Sequence, residues 1–67
     1  MILDDDELSR RIIEEFISKT DGLVLTHSCS NPVTGINELK GDDAVDLIFL
    51  DIEMPEMTGL DFLDSVN

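Results

Sequence analysis

Asp4, Asp5 and Asp51 are the residues of this sequence best placed to do chemistry. Asp4 and Asp5 stand in the acidic block Asp4-Asp5-Asp6-Glu7, directly behind the apolar Met1-Ile2-Leu3. Asp51 closes the apolar run Val45-Asp46-Leu47-Ile48-Phe49-Leu50, 46 positions after Asp5. Carboxylates brought to one place repel each other and favour partial protonation unless a cation sits among them. Oxygen-only ligation suits Mg²⁺, a hard ion that keeps several waters and binds a few carboxylates plus a phosphate oxygen. An aspartate beside such an ion can attack phosphorus directly and form an acyl phosphate.

That chemistry requires positions 4, 5 and 51 to meet, and the order of elements provides for it. Met1 to Leu3 is a short apolar stub ending at the acidic block. Leu8, Ile12, Ile13, Phe16 and Ile17 then recur at helical spacing, predicting an amphipathic helix from about Asp6 to Lys19. Acids in its first turn and Lys19 in its last complement the helix dipole, and Asp21-Gly22 supplies the turn that ends it. Leu23 to Ser28 is short and partly β-branched, and reads as a strand. Asn31-Pro32 opens a helix running through Ile36 and Leu39 to Lys40, in which Gly35 costs about 1 kcal/mol against Ala. Val45 to Leu50 suits a strand buried on both faces of a parallel sheet, and Gly59 to Val66 a last short helix. The order is βαβαβα, an α/β pattern of right-handed parallel crossovers. Ligands of such sheets gather outside the carboxyl ends of the strands, where Asp4, Asp5 and Asp51 fall.

Composition narrows the function classes. Sixteen acidic residues against four basic ones give a formal charge of −12, which repels nucleic acid phosphates and anionic membrane surfaces. The favoured partners are cations and basic protein surfaces. One cysteine, Cys29, forms no internal disulfide and has no cluster of soft ligands around it, which fits a reducing cytoplasm and a small buried apolar role. Neither a signal peptide nor an apolar stretch near the roughly 20 residues of a membrane span is visible. At 67 residues the chain is one small domain at most, of marginal stability.

Two strings resemble a known family. Ile2-Leu3-Asp4-Asp5-Asp6-Glu7 with Leu8-Ser9-Arg10-Arg11, paired with Leu50-Asp51-Ile52-Glu53-Met54-Pro55-Glu56-Met57-Thr58-Gly59, looks like the receiver domain of two-component response regulators. The resemblance implies a partial flavodoxin-like fold with a three-stranded parallel sheet of order 2-1-3. It casts Asp51 as the phosphoacceptor of a histidine kinase or phosphotransfer protein. It makes Asp5 a direct Mg²⁺ ligand, Asp4 the holder of a metal-bound water and Glu53 a ligand through its backbone carbonyl, with Pro55 and Gly59 shaping the loop. The loop wording, with Glu53 and Glu56, further resembles bacterial receivers attached to LytTR-type DNA-binding domains. Residues 1–67 then correspond to a truncated receiver, first strand through third helix, with the first strand clipped and the last two βα units missing. With those units go the family's Ser/Thr, its Lys and its usual signalling face. Lys19 and Lys40, at helix ends, do not replace that Lys.

The remaining polar residues have plainer readings. Asp4 to Glu7 alone would be a helix-start charge cluster, and the match around Asp51 reverses that reading. His27 lacks a second nitrogen ligand and is structural or solvent-facing. Arg10 and Arg11 belong to a solvated face, and Met54 and Met57 pack locally around a turn. The resulting expectation is a non-enzymatic signalling module whose 67-residue piece is inactive alone. Alternatively, the piece is a half-domain that self-associates through an exposed sheet edge. An aspartate-based phosphohydrolase fits less well, because such enzymes carry Asp-x-Asp at the strand end and here the second acid is Glu53.

Overall fold

The computed structural model describes residues 1–41, 44–55 and 57–65; Glu56 of the expected loop and Val66 at the expected end of the last helix lie outside them. The elements are β1 (Ile2–Leu3), α1 (Glu7–Ser18), β2 (Ser28–Cys29), α2 (Pro32–Leu39), β3 (Phe49–Leu50) and α3 (Gly59–Ser65). The three strands form one parallel sheet in the order β2-β1-β3, with Ile2 opposite both Ser28 and Phe49. The expected element order and sheet order are both present.

Helix ends follow the side chains that cap them. Asp6 is the N-cap of α1, its carboxylate accepting from the Ser9 N–H at 3.0 Å and the Ser9 hydroxyl at 2.7 Å. Those two bonds hold the Asp6 carboxyl below its usual range. Gly22, at φ +89°, makes the turn after α1. Asn31 caps α2 by accepting from the Thr34 N–H at 2.9 Å, and Pro32 fills the first turn. Lys19, expected to answer the helix dipole, instead places its ammonium 2.8 Å from Glu15 Oε1 in an exposed ion pair.

Side-chain alternation along the strands separates two faces. Met1, Leu3 and Cys29 join Met54 and Phe62 in the core on the α2 and α3 side, with Ile36, Leu39 and Leu50 packed against them. Ile2 points to the α1 side, where Ile17 is also buried and the rings of Phe16 and Phe49 meet edge-on at 6.3 Å. Gly35 allows α2 to approach closely. A Cβ there would stand 3.2 Å from Leu3 Cδ2 and 3.3 Å from Phe62 Cε2, so the glycine that weakens the helix locally admits the core beneath it.

Two expectations need correction. The strands predicted over 23–28 and 45–50 are each only two residues long, Ser28–Cys29 and Phe49–Leu50. A ladder is no longer than its shortest member, and β1 offers two residues to both neighbours. The apolar stripe of α1 is also only partly packed. Ile17 is buried, whereas Leu8, Ile12 and Phe16 are 66, 61 and 54% exposed, because a three-stranded sheet is narrower than the stripe. Among the described residues no helix is long and apolar enough to cross a membrane.

Candidate functional site

The chain passes from β1 out to β2 and then crosses to β3 on the other side of β1, so the connections diverge at the carboxyl ends of β1 and β3. That crevice is where open α/β sheets bind ligands. Both sides of it are fixed by ladder bonds. The Asp4 N–H donates to the Cys29 carbonyl at 3.1 Å, and the Asp51 N–H donates to the Leu3 carbonyl at 2.9 Å.

Asp4, Asp5 and Asp51 meet in the crevice, each offering a carboxylate oxygen within 4.8 Å of the others. Asp4 and Asp51 are half-buried and Asp5 is exposed. Backbone amides hold two of the three carboxylates: Asp4 Oδ1 accepts from the Asp6 N–H at 2.9 Å, and Asp51 Oδ1 from the Glu53 N–H at 3.3 Å. Each such contact leaves a second oxygen on its carboxylate. No ion pair among the described residues neutralises the three acids. Like charges at this separation repel by on the order of 1 kcal/mol per pair even in a water-like medium. This all-oxygen donor set fits a hard divalent cation such as Mg²⁺. Glu53 is exposed, and its side chain is not part of the cluster.

Two residues build the site without belonging to the cluster. Arg10 Nη1 donates to the Asp4 backbone carbonyl at 2.8 Å, tying the acidic turn to the first turns of α1. Arg10, expected on a solvated face, is instead half-buried against this turn. Its only signal was its position six residues after Asp4, and side-chain-to-backbone reach of that kind is not visible in a pattern. Gly59 seats α3 against the strand end: its N–H donates to the Ile52 carbonyl at 2.6 Å, and a Cβ would stand 2.7 Å from the Asp51 carbonyl oxygen.

The other candidates take structural places. His27 Nε2 lies 3.0 Å from Glu38 Oε2, linking the approach to β2 with α2. Cys29 is buried, and burial first, then the charge of Glu38, pushes its thiol up, which keeps it protonated and unreactive at neutral pH. Met54 is buried in the core, with Met57 packed against it.

The family described as response regulator receiver domain matches residues 1–67. The chain belongs to this receiver family. It is 38% identical over 66 residues to protein-glutamate methylesterase/protein-glutamine glutaminase 3 of Burkholderia thailandensis, covering 98% of this chain and 18% of that protein. It is 35% identical over 70 residues to an uncharacterized response regulatory protein of Vibrio parahaemolyticus, covering all of this chain and 27% of that one. A methylesterase/glutaminase of Treponema denticola is 38% identical over 67 residues, again with 18% of its length covered. The chain thus spans roughly a fifth to a quarter of the relatives it matches. No solved structure matches it significantly. Receiver domains bind Mg²⁺ at an acidic pocket, take phosphoryl groups from histidine kinases or phosphotransfer proteins, and are generally not enzymes themselves.

Proposed function

We propose that residues 1–67 are the first strand through third helix of a longer receiver domain, and that Asp51 is its phosphoacceptor. The observation that carries this reading is the meeting of Asp4, Asp5 and Asp51 at the β1–β3 crevice. Asp5 and Asp51 would hold Mg²⁺ directly, Asp4 through a bound water, and Glu53 through its backbone carbonyl. The ion, when bound, neutralises charge on the phosphoryl oxygens. Asp51 is the nucleophile: its free carboxylate oxygen forms the bond to phosphorus as the bond from phosphorus to the donor kinase's histidine nitrogen breaks. The Glu53 N–H on Oδ1 orients that carboxylate. Arg10 and Gly59 position the two sides of the crevice.

The 67-residue chain alone binds Mg²⁺ weakly and accepts phosphoryl groups poorly in this account, because the family's Lys and hydroxyl lie outside it and the transferring charge has fewer contacts. The full-length protein, with Mg²⁺ and acetyl phosphate, should label at one site. Asp51→Asn should lower labelling by at least about 100-fold, on the scale of losing an essential group in a preorganised site. Undiminished labelling of that variant would remove Asp51 from the role.

A second reading concerns the chain's partners. β3 is outermost in the sheet, and Leu47 just ahead of it is 51% exposed. An open apolar edge is a template for another strand. We infer that the 67-residue chain self-associates there at high concentration, against the repulsion of its −12 charge. Light scattering should show dimers or larger species whose fraction rises with salt; a monomer at all concentrations excludes this. The reading implies no nucleic acid or membrane partner for this segment, and the buried free thiol suits a reducing cytoplasm.

A further inference from the structure

Cations are scarce in this chain, and α1 spends them in two ways. Arg11 and Lys19 hold exposed ion pairs with Glu7 and Glu15, each one turn away on the same helix. Arg10 is half-buried, and its guanidinium donates to a backbone oxygen, the Asp4 carbonyl, at 2.8 Å. Among the described residues no carboxylate lies within ion-pair distance of it. In a chain of net charge −12, a cation that meets a carbonyl in place of an acid is placed by the fold and not by the nearest charge.

The carbonyl it meets is one the sheet does not serve. The Asp4 N–H bonds to Cys29 on β2, and the Leu3 carbonyl takes the Asp51 N–H of the β3 side. The chain then bends at Asp5, and no backbone N–H among the described residues donates to the Asp4 carbonyl. A backbone oxygen at such a place needs a donor, and a charged donor makes the stronger bond. Arg10 supplies it from α1, while the Asp6 N–H donates to Asp4 Oδ1 at 2.9 Å. Asp4 is thus held through its carbonyl and its carboxylate together, and all three acids keep an oxygen for the crevice.

Resting on the reading of this crevice as a cation site, we propose that Arg10 is a positioning residue for metal binding, a positive charge that raises the affinity for a divalent cation by holding the Asp4 backbone. The sign of the effect separates this role from that of a nearby charge. By Coulomb's law alone a guanidinium bonded to Asp4 repels the incoming ion, so its removal would tighten binding. Through its hold on the carbonyl, its removal frees a turn that carries two of three mutually repelling carboxylates, which weakens binding. Groups that orient ligands without touching the ion contribute about tenfold or more to affinity, and a charge screened by salt and water contributes less, so positioning prevails.

The full-length protein tests this when titrated with Mn²⁺, followed by electron paramagnetic resonance and competed with Mg²⁺. Arg10→Gln should bind about tenfold more weakly than the parent. Arg10→Lys keeps the charge and one flexible donor, and should recover part of the loss, to about threefold below the parent. Arg11→Gln removes the same charge one residue on, from an exposed pair, and should stay within about twofold of the parent. Binding in Arg10→Gln as tight as the parent's or tighter would overturn the inference, as would parental binding in Arg10→Lys should the glutamine chain not fold, or an equal loss in Arg11→Gln. Asp51→Asn separates the two levels. If it loses binding while Arg10→Gln does not, the cation site stands and the role of Arg10 falls; undiminished binding in Asp51→Asn overturns both.

Discussion

Phe62→Ala should leave most of the chain unfolded at 25 °C. Phe62 is fully buried between the sheet and α2, and removing an aromatic ring from such a place costs about 3–5 kcal/mol through lost burial and the cavity left behind. A chain of this length has on the order of 3–10 kcal/mol in total, and its small core places it at the low end, so the loss is most or all of its stability. Leu60, two residues earlier on the same helix, is 68% exposed, and Leu60→Ala should shift stability by no more than about 0.5 kcal/mol. Urea unfolding followed by circular dichroism separates the two. Similar midpoints for both variants would mean that α3 does not pack as described.

Gly59→Ala should be the second most damaging single change, and the one that reaches the carboxylates. The added Cβ would stand 2.7 Å from the Asp51 carbonyl oxygen and 3.0 Å from Ile52 Cα, and both are backbone atoms that cannot swing aside. Overpacking of this kind costs about 1–3 kcal/mol and moves either α3 or the strand end that bears Asp51. Gly35→Ala is the informative contrast. Its Cβ meets the side-chain ends of Leu3 and Phe62 at 3.2 and 3.3 Å, which can yield by a few tenths of an ångström while the helix gains about 1 kcal/mol of propensity. Gly59→Ala should therefore be the less stable of the pair and should shift the Asp51 amide resonance. The reverse order would show that the close approach at Gly59 is not what holds the strand end.

Much of this arrangement was legible in the residues. Helix starts were readable because Asp6 and Asn31 act locally, within one turn of the amides they cap. The carboxylate crevice was readable because acids at the ends of two apolar runs must emerge at one edge if those runs are parallel neighbours. Strand extent was not readable: Leu23 to Ser28 and Val45 to Leu50 have strand composition along their whole length, yet pairing stops where β1 stops. The packed width of α1 was also hidden. Leu8, Ile12 and Phe16 match the period of a buried stripe, and only the width of the sheet beneath decides how much of it is covered. Arg10 was misread for a related reason, since its partner is a backbone carbonyl and carries no side-chain signal.

Paramagnetic broadening by Mn²⁺ tests the central claim most directly, because it registers even weak occupancy by a hard, oxygen-preferring ion. At substoichiometric Mn²⁺, the amides of Asp4, Asp5, Asp51 and Glu53 should broaden first and together, and excess Mg²⁺ should restore them. Broadening spread evenly over the acidic surface, with Glu14, Glu15, Asp61 and Asp64 affected as early as Asp51, would contradict a shared carboxylate site.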